Sequence, residues 1–198
     1  MKRLILIGGH PGKATDDNVL SYALRTHPAN KVNIAFCNYA HIDTQWKDVE
    51  KELIAMFEQF GGGKSLAFKT LSRDNFNEVS EWAGVIYITG GNPAKLKSEL
   101  DKHEGLDTLW DGKIITGSSA GADIMCEQFV YLQEKTLGDG YGWVRATMIP
   151  HWGHYDEAEF EKYTDDDFEF VRAKALKSRP DLPVLCIPEG QFVEIAVQ

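Results

Sequence analysis

The sequence predicts a three-layer α/β sandwich built on a mainly parallel sheet. Three observations predict it. Short β-branched and aliphatic runs recur along the chain, longer amphipathic stretches alternate with them, and several short runs are apolar throughout, as strands are when helices cover both sheet faces. Leu4–Ile7 is the first strand and runs into a Gly8-Gly9 turn. Asp17–Arg25 follows as a helix with Val19, Leu20, Ala23 and Leu24 on one face. Val32–Phe36 is the second strand. Gln45–Phe60 repeats apolar residues at three- and four-residue spacing and stops at Gly61-Gly62-Gly63. Leu66–Phe68 and Val85–Ile88 are strands, and Pro93–Leu100 is a helix with proline at an early position. Lys113–Thr116 is a strand, and Ala120–Leu132 reads as one helix directly after it. Gly138–Gly142 reads as a turn between two extended segments, a hairpin. Thr164-Asp165-Asp166-Asp167 opens a helix through about Lys177, and Val184–Ile187 is the last strand.

Composition narrows the function. The 198 residues carry 21 Lys+Arg against 30 Asp+Glu, a net charge of −9, which argues against nucleic acid or anionic lipid as the partner. No apolar run approaches a membrane span, and the start reads as a strand rather than a leader, so a cytoplasmic protein is expected. Three scattered cysteines (Cys37, Cys126, Cys186) indicate neither a disulfide framework nor a zinc site. With no repeat or linker, residues 1–198 are expected to form a single domain.

Two glycine-rich pieces imitate a phosphate loop. Gly61–Ser65 follows a helix instead of a strand, and Gly8–Lys13 has the wrong spacing with Ala14 in the Ser/Thr position, so no nucleotide and no other cofactor is expected.

The strongest signal is Gly117-Ser118-Ser119-Ala120-Gly121, which fits G-x-S-x-G in a strand–turn–helix context. Such a turn strains the serine backbone, lifts Oγ out of the sheet, and needs small neighbours so that strand and helix can approach. It also places the Ala120 N–H at a helix start, where negative charge is stabilised. His151, held behind Pro150, is the candidate base. Glu189 in Pro188-Glu189-Gly190 and Asp139 are rival acids to orient it. Gly90-Gly91-Asn92 ends another strand at a helix start and supplies a second oxyanion donor. Against this stand two other classes: a metal centre using His151, His154 and Asp156, and a binding protein that keeps the turn without working chemistry. His10 sits at a strand end and could line the same mouth.

In this order, Gly90-Gly91-Asn92, Gly117–Ala122, Pro150-His151 and Pro188-Glu189-Gly190 resemble peptidase family S51, which includes aspartyl dipeptidase (peptidase E). The resemblance spans nearly the whole chain. It implies a class I glutamine amidotransferase-like fold with serine in place of the cysteine nucleophile. It further implies Ser119 as nucleophile, His151 as base, Glu189 as acid, Gly91 and Ala120 as oxyanion donors and Asn92 as a substrate contact, with no metal. The expected substrate is a small peptide, with an Asp-X dipeptide as the candidate, and the expected state a monomer or homodimer. Aspartyl specificity needs a cation, for which Arg145 and Arg172 are the candidates.

Overall fold

The computed structural model describes residues 2–12, 18–153 and 163–197. Its elements in order are β1 (Lys2–Ile7), α1 (Val19–Arg25), β2 (Lys31–Cys37), α2 (Trp46–Phe60), β3 (Ser65–Thr70), α3 (Phe76–Trp82), β4 (Val85–Ile88), α4 (Pro93–Leu100), α5 (Leu106–Leu109) and β5 (Ile114–Ser118). There follow α6 (Ala120–Met125), β6 (Cys126–Tyr131), β7 (Thr136–Asp139), β8 (Val144–Pro150), α7 (Asp165–Ser178), β9 (Val184–Ile187) and β10 (Phe192–Val197).

Six strands form the main sheet in the order β10-β1-β5-β4-β2-β3. All pair in parallel except β10, which runs antiparallel to β1 from Lys2↔Val197 to Ile7↔Phe192. Strand side chains alternate between faces, so one strand feeds two cores. Ile5, Ile7, Val32, Ile34 and Phe36 pack with α1 and α2 on one side. Leu4, Leu6, Ala35, Ile86, Ile88 and Ile115 pack with α4, α6 and the second sheet on the other. This is the layered α/β arrangement, helices covering both faces of a mainly parallel sheet. Within the second face, the buried Trp110 indole donates to Ser80 Oγ at 3.0 Å.

Local chemistry explains where the helices begin. Asn18 accepts from the Leu20 and Ser21 amides at the start of α1, and Asn92 accepts from Lys95 N at the start of α4, where Pro93 needs no acceptor. Thr164 and Asp167 exchange hydrogen bonds as a capping box on α7.

The expected helix Ala120–Leu132 is corrected. It ends at Met125, and Cys126–Tyr131 is a strand of a second, four-stranded sheet in the order β7-β6-β8-β9. Phe129, Val130 and Tyr131 favour extended chain, and Phe129 and Val130 bury on opposite sides of the sheet, against the main core and against α7 respectively. The hairpin is also displaced. β6 and β7 form it, whereas Gly140–Trp143 carries the chain past β6 to β8, which pairs with β6 in parallel. β10, α3 and the short α5 are additional to the elements expected from sequence.

Candidate active site

Five strands deliver the site at their carboxyl ends, the usual place for ligands in open α/β sheets. β5 leads into Ser119, β8 into His151, β9 into Glu189, β4 into Gly90-Gly91 and β1 into Gly8–His10.

Ser119 has φ 48° and ψ −109°, a region that side chains avoid. The strain is held by its surroundings. Ser119 N–H donates to Ile7 O at 3.0 Å, and its carbonyl accepts from Asp123 N at 2.8 Å. A side chain at Gly121 would meet Ile88 Cβ at 3.0 Å, and one at Gly117 would meet the Ala122 amide at 2.7 Å, so the close crossing of strand and helix requires glycine at both. Although Ser119 is the N-cap residue of α6, its hydroxyl caps nothing. It lies instead 2.8 Å from His151 Nε2.

His151 is fixed from several directions. Its backbone, at φ 56°, donates to Gly8 O at 2.8 Å. Its Nδ1 lies 3.1 Å from Glu189 Oε1. An ionised carboxylate only accepts, so Nδ1 carries the ring proton and Nε2 is left to accept from the Ser119 hydroxyl. The Glu189 side chain is almost wholly buried at 2% exposure, and Gly190 N–H ties its loop to Gly9 O at 2.8 Å. His10 also reaches this carboxylate, its Nε2 3.5 Å from Oε1, with its ring edge-on to His151.

Gly90 packs beside the serine, an added Cβ there lying 3.5 Å from Ser119 Cβ. The Gly91 and Ala120 amides beside it donate to no acceptor among the described residues. A cleft of about 640 Å³ opens over Ser119 and His151, lined also by Gly91, Asn92, Asp123, Tyr131, Glu134 and Pro150. The Asn92 carbonyl oxygen is taken by the α4 cap, which leaves its amide NH₂ as the group that can face a ligand.

Other candidates fall elsewhere. Asp139 is exposed at the end of β7, opposite Gln128. Arg145 pairs with Asp181 at 2.9 Å and Arg172 with Glu169 at 3.1 Å, and neither lines the cleft. His154 and Asp156 lie outside the described residues. Cys126 is fully buried, which pushes its thiol up and away from reactivity. Trp152 packs on Phe168 of α7, their rings 5.4 Å apart. Two residues carry more than their sequence context suggests. His10 sits at the strand end expected to line the mouth, but its contact is with Glu189. Asp123 stands out in the sequence only as a helix residue, although its spacing of four from Ser119 places both on one helix face.

Residues 4–197 match the family model described as Peptidase family S51. The chain belongs to peptidase family S51. It is therefore a peptidase of the serine type. Among solved structures it is similar to a peptidase from an acI-B1 Actinobacterium, with TM-score 0.68 and 18% identity over 98% of this chain and 83% of that one. It is similar also to a Listeria monocytogenes EGD-e protein assigned as a peptidase E, with TM-score 0.63 and 19% identity over the full length of both. At such identities these likenesses speak for the shared fold. No curated protein sequence matches the chain. Among the described residues no helix is long and apolar enough to cross a membrane.

Proposed function

We propose that this S51 peptidase cleaves a short peptide through a Ser119–His151–Glu189 triad and an acyl-enzyme. One observation carries the reading: the strained Ser119 places Oγ 2.8 Å from an imidazole whose other nitrogen faces a buried carboxylate. In this reading Ser119 Oγ attacks the scissile carbonyl carbon while Nε2 takes its proton. Glu189 holds the imidazole in the receptive tautomer and stabilises the imidazolium. The Gly91 and Ala120 amides receive the tetrahedral oxyanion, and Asn92 offers its amide to the bound peptide. His151 then protonates the leaving amine. Water enters by the same route, gives its proton to His151, and releases the acid product from Ser119. A cleft of about 640 Å³ is of small-ligand size, which favours a short peptide over an extended chain.

A fluorophosphonate probe tests the chemistry without knowledge of the substrate. Labelling should map to Ser119 and vanish in Ser119→Ala. Glu189→Gln should slow it by about 10²–10⁴-fold, the range for a disabled triad member, while Asp139→Asn should not. No labelling of the folded wild-type protein, or the reverse ranking of the two acids, overturns the reading.

A further inference from the structure

Two imidazoles converge on one carboxylate oxygen. Glu189 Oε1 lies 3.1 Å from His151 Nδ1 and 3.5 Å from His10 Nε2, and the two rings stand edge-on with centroids 6.4 Å apart. The proposed chemistry uses His151 alone. His10 is absent from the described cleft lining, and its side chain is 33% exposed against 14% for His151. It therefore reaches the acid from outside the cleft, with access to solvent protons. Its placement is imposed by the fold. His10 has φ 47°, and three of the four non-glycine residues with positive φ among the described residues are His10, Ser119 and His151. Such conformations persist where the surroundings over-determine them. Here Gly8 O accepts from His151 N–H and Gly9 O from Gly190 N–H, each at 2.8 Å, so the strap carrying His10 is fastened to the loops of both its neighbours.

We infer that His10 is a positioning residue of this peptidase that acts through Glu189: its ring N–H helps to hold the carboxylate ionised, and its protonation competes with His151 for the same negative charge. The inference rests on the Ser119–His151–Glu189 reading and extends it. A carboxylate at 2% exposure is costly unless donors face it, and Nε2–H of His10 adds to the donor that His151 supplies. Glu189 has a second task, to compensate the imidazolium formed when His151 takes the serine proton. While His10 is neutral, that compensation goes to His151. Once His10 is protonated the carboxylate is shared, and a positive charge 6.4 Å away opposes protonation of His151. His151 thus stays receptive to lower pH than it would with Glu189 to itself. The cleft adds two further acids near His151, Asp123 and Glu134. Asp123 is 4% exposed with its Oδ1 unpartnered among the described residues, and burial favours its uncharged form. Glu134 is exposed, where solvent and salt screen it.

The rate of fluorophosphonate labelling at Ser119, followed against pH, tests this without a substrate. Glutamine puts an amide nitrogen near the place of His10 Nε2 but takes up no proton. Asparagine tolerates the left-handed backbone and is too short to reach the carboxylate. His10→Asn should therefore slow labelling at neutral pH by about tenfold, of the order of one lost hydrogen bond to a charged group, and His10→Gln should restore most of that loss. Like charges 6.4 Å apart in partly solvated surroundings oppose each other by about 0.5–2 pH units, which two similar imidazoles divide between them. Neither variant can be protonated at this position, so in both the midpoint of the acid limb should rise by about 0.3–1 pH unit. A histidine that merely supports the fold would lower the Tm of both variants and leave the midpoint in place. Midpoints within 0.2 pH unit of wild type, or a loss in His10→Gln equal to that in His10→Asn, reject His10 while the triad reading stands. A folded wild-type protein that takes no label rejects the triad and this inference with it.

Discussion

Gly9 offers a sharp test of how closely the imidazole is aimed. Its φ is +129°, and a Cβ placed on it would lie 2.6 Å from His151 Nδ1 and against Cε1 as well, where ordinary contact begins near 3.4 Å. The His151 main chain is tied to Gly8 O, so the imidazole cannot escape by a shift of its own backbone. In Gly9→Ala the ring must therefore retreat by roughly 1 Å, and misplacement on that scale costs about 10²-fold in rate, or about 2.7 kcal/mol of barrier. The backbone adds a separate penalty of about 1–3 kcal/mol in stability for a side chain at this φ. Gly63→Ala is the matched control. It has φ +81° and open space around its Cβ position, so it carries a backbone cost without a contact. The assay is the second-order rate of fluorophosphonate labelling at Ser119, read beside a urea unfolding curve. Both variants should be destabilised, and only Gly9→Ala should label about a hundredfold more slowly. A folded Gly9→Ala that labels within threefold of wild type would refute the reasoning, as would equal slowing in Gly63→Ala.

Two further predictions concern stability. Ser80→Ala strands the buried Trp110 indole N–H and should cost about 1–3 kcal/mol in urea unfolding, with a loss under about 0.5 kcal/mol contradicting the buried bond. At the start of α7, Lys135 and then the Thr164 cap hold the Asp167 carboxyl down at about 2, against an unfolded value of 3.8. Because the folded value is the lower, this contribution is complete above the unfolded value and is lost as pH falls through about 2. Asp167→Asn should accordingly lower the urea midpoint at neutral pH and converge with wild type in strong acid. Parallel profiles for the two proteins would sink that account.

Much of this architecture is legible in the sequence because it is local. Val85–Ile88 and Val184–Ile187 are bounded by turn residues and appear with the expected limits. The Gly61 stop of α2 and the Thr164 capping box also lie where the residues place them. The misreading at Ala120–Leu132 has a definite cause. No glycine or proline separates α6 from β6, and the decision to leave the helix at Met125 comes from partners far along the chain, in β7 and β8. The same reason hides β10, whose alternating Phe192–Val197 has meaning only beside β1. Within the site, the Ser119 turn announces itself through its glycines. Choosing between Glu189 and Asp139 as neighbour of His151 requires the second sheet, whose strand order no local pattern encodes. Asp123 stays hidden because an acid early in a helix is ordinarily read as a dipole partner, and only burial without a partner marks it as different.

The hydrogen-bonded chain from Ser119 through His151 to Glu189 draws one member from the main sheet, one from the second sheet, and one from the link between β9 and β10 that spans both. It closes only when the two sheets have docked and the last strand has zipped along the first. On the proposed triad, a nascent or partly melted copy holds an unactivated hydroxyl, and activity arrives together with completed folding.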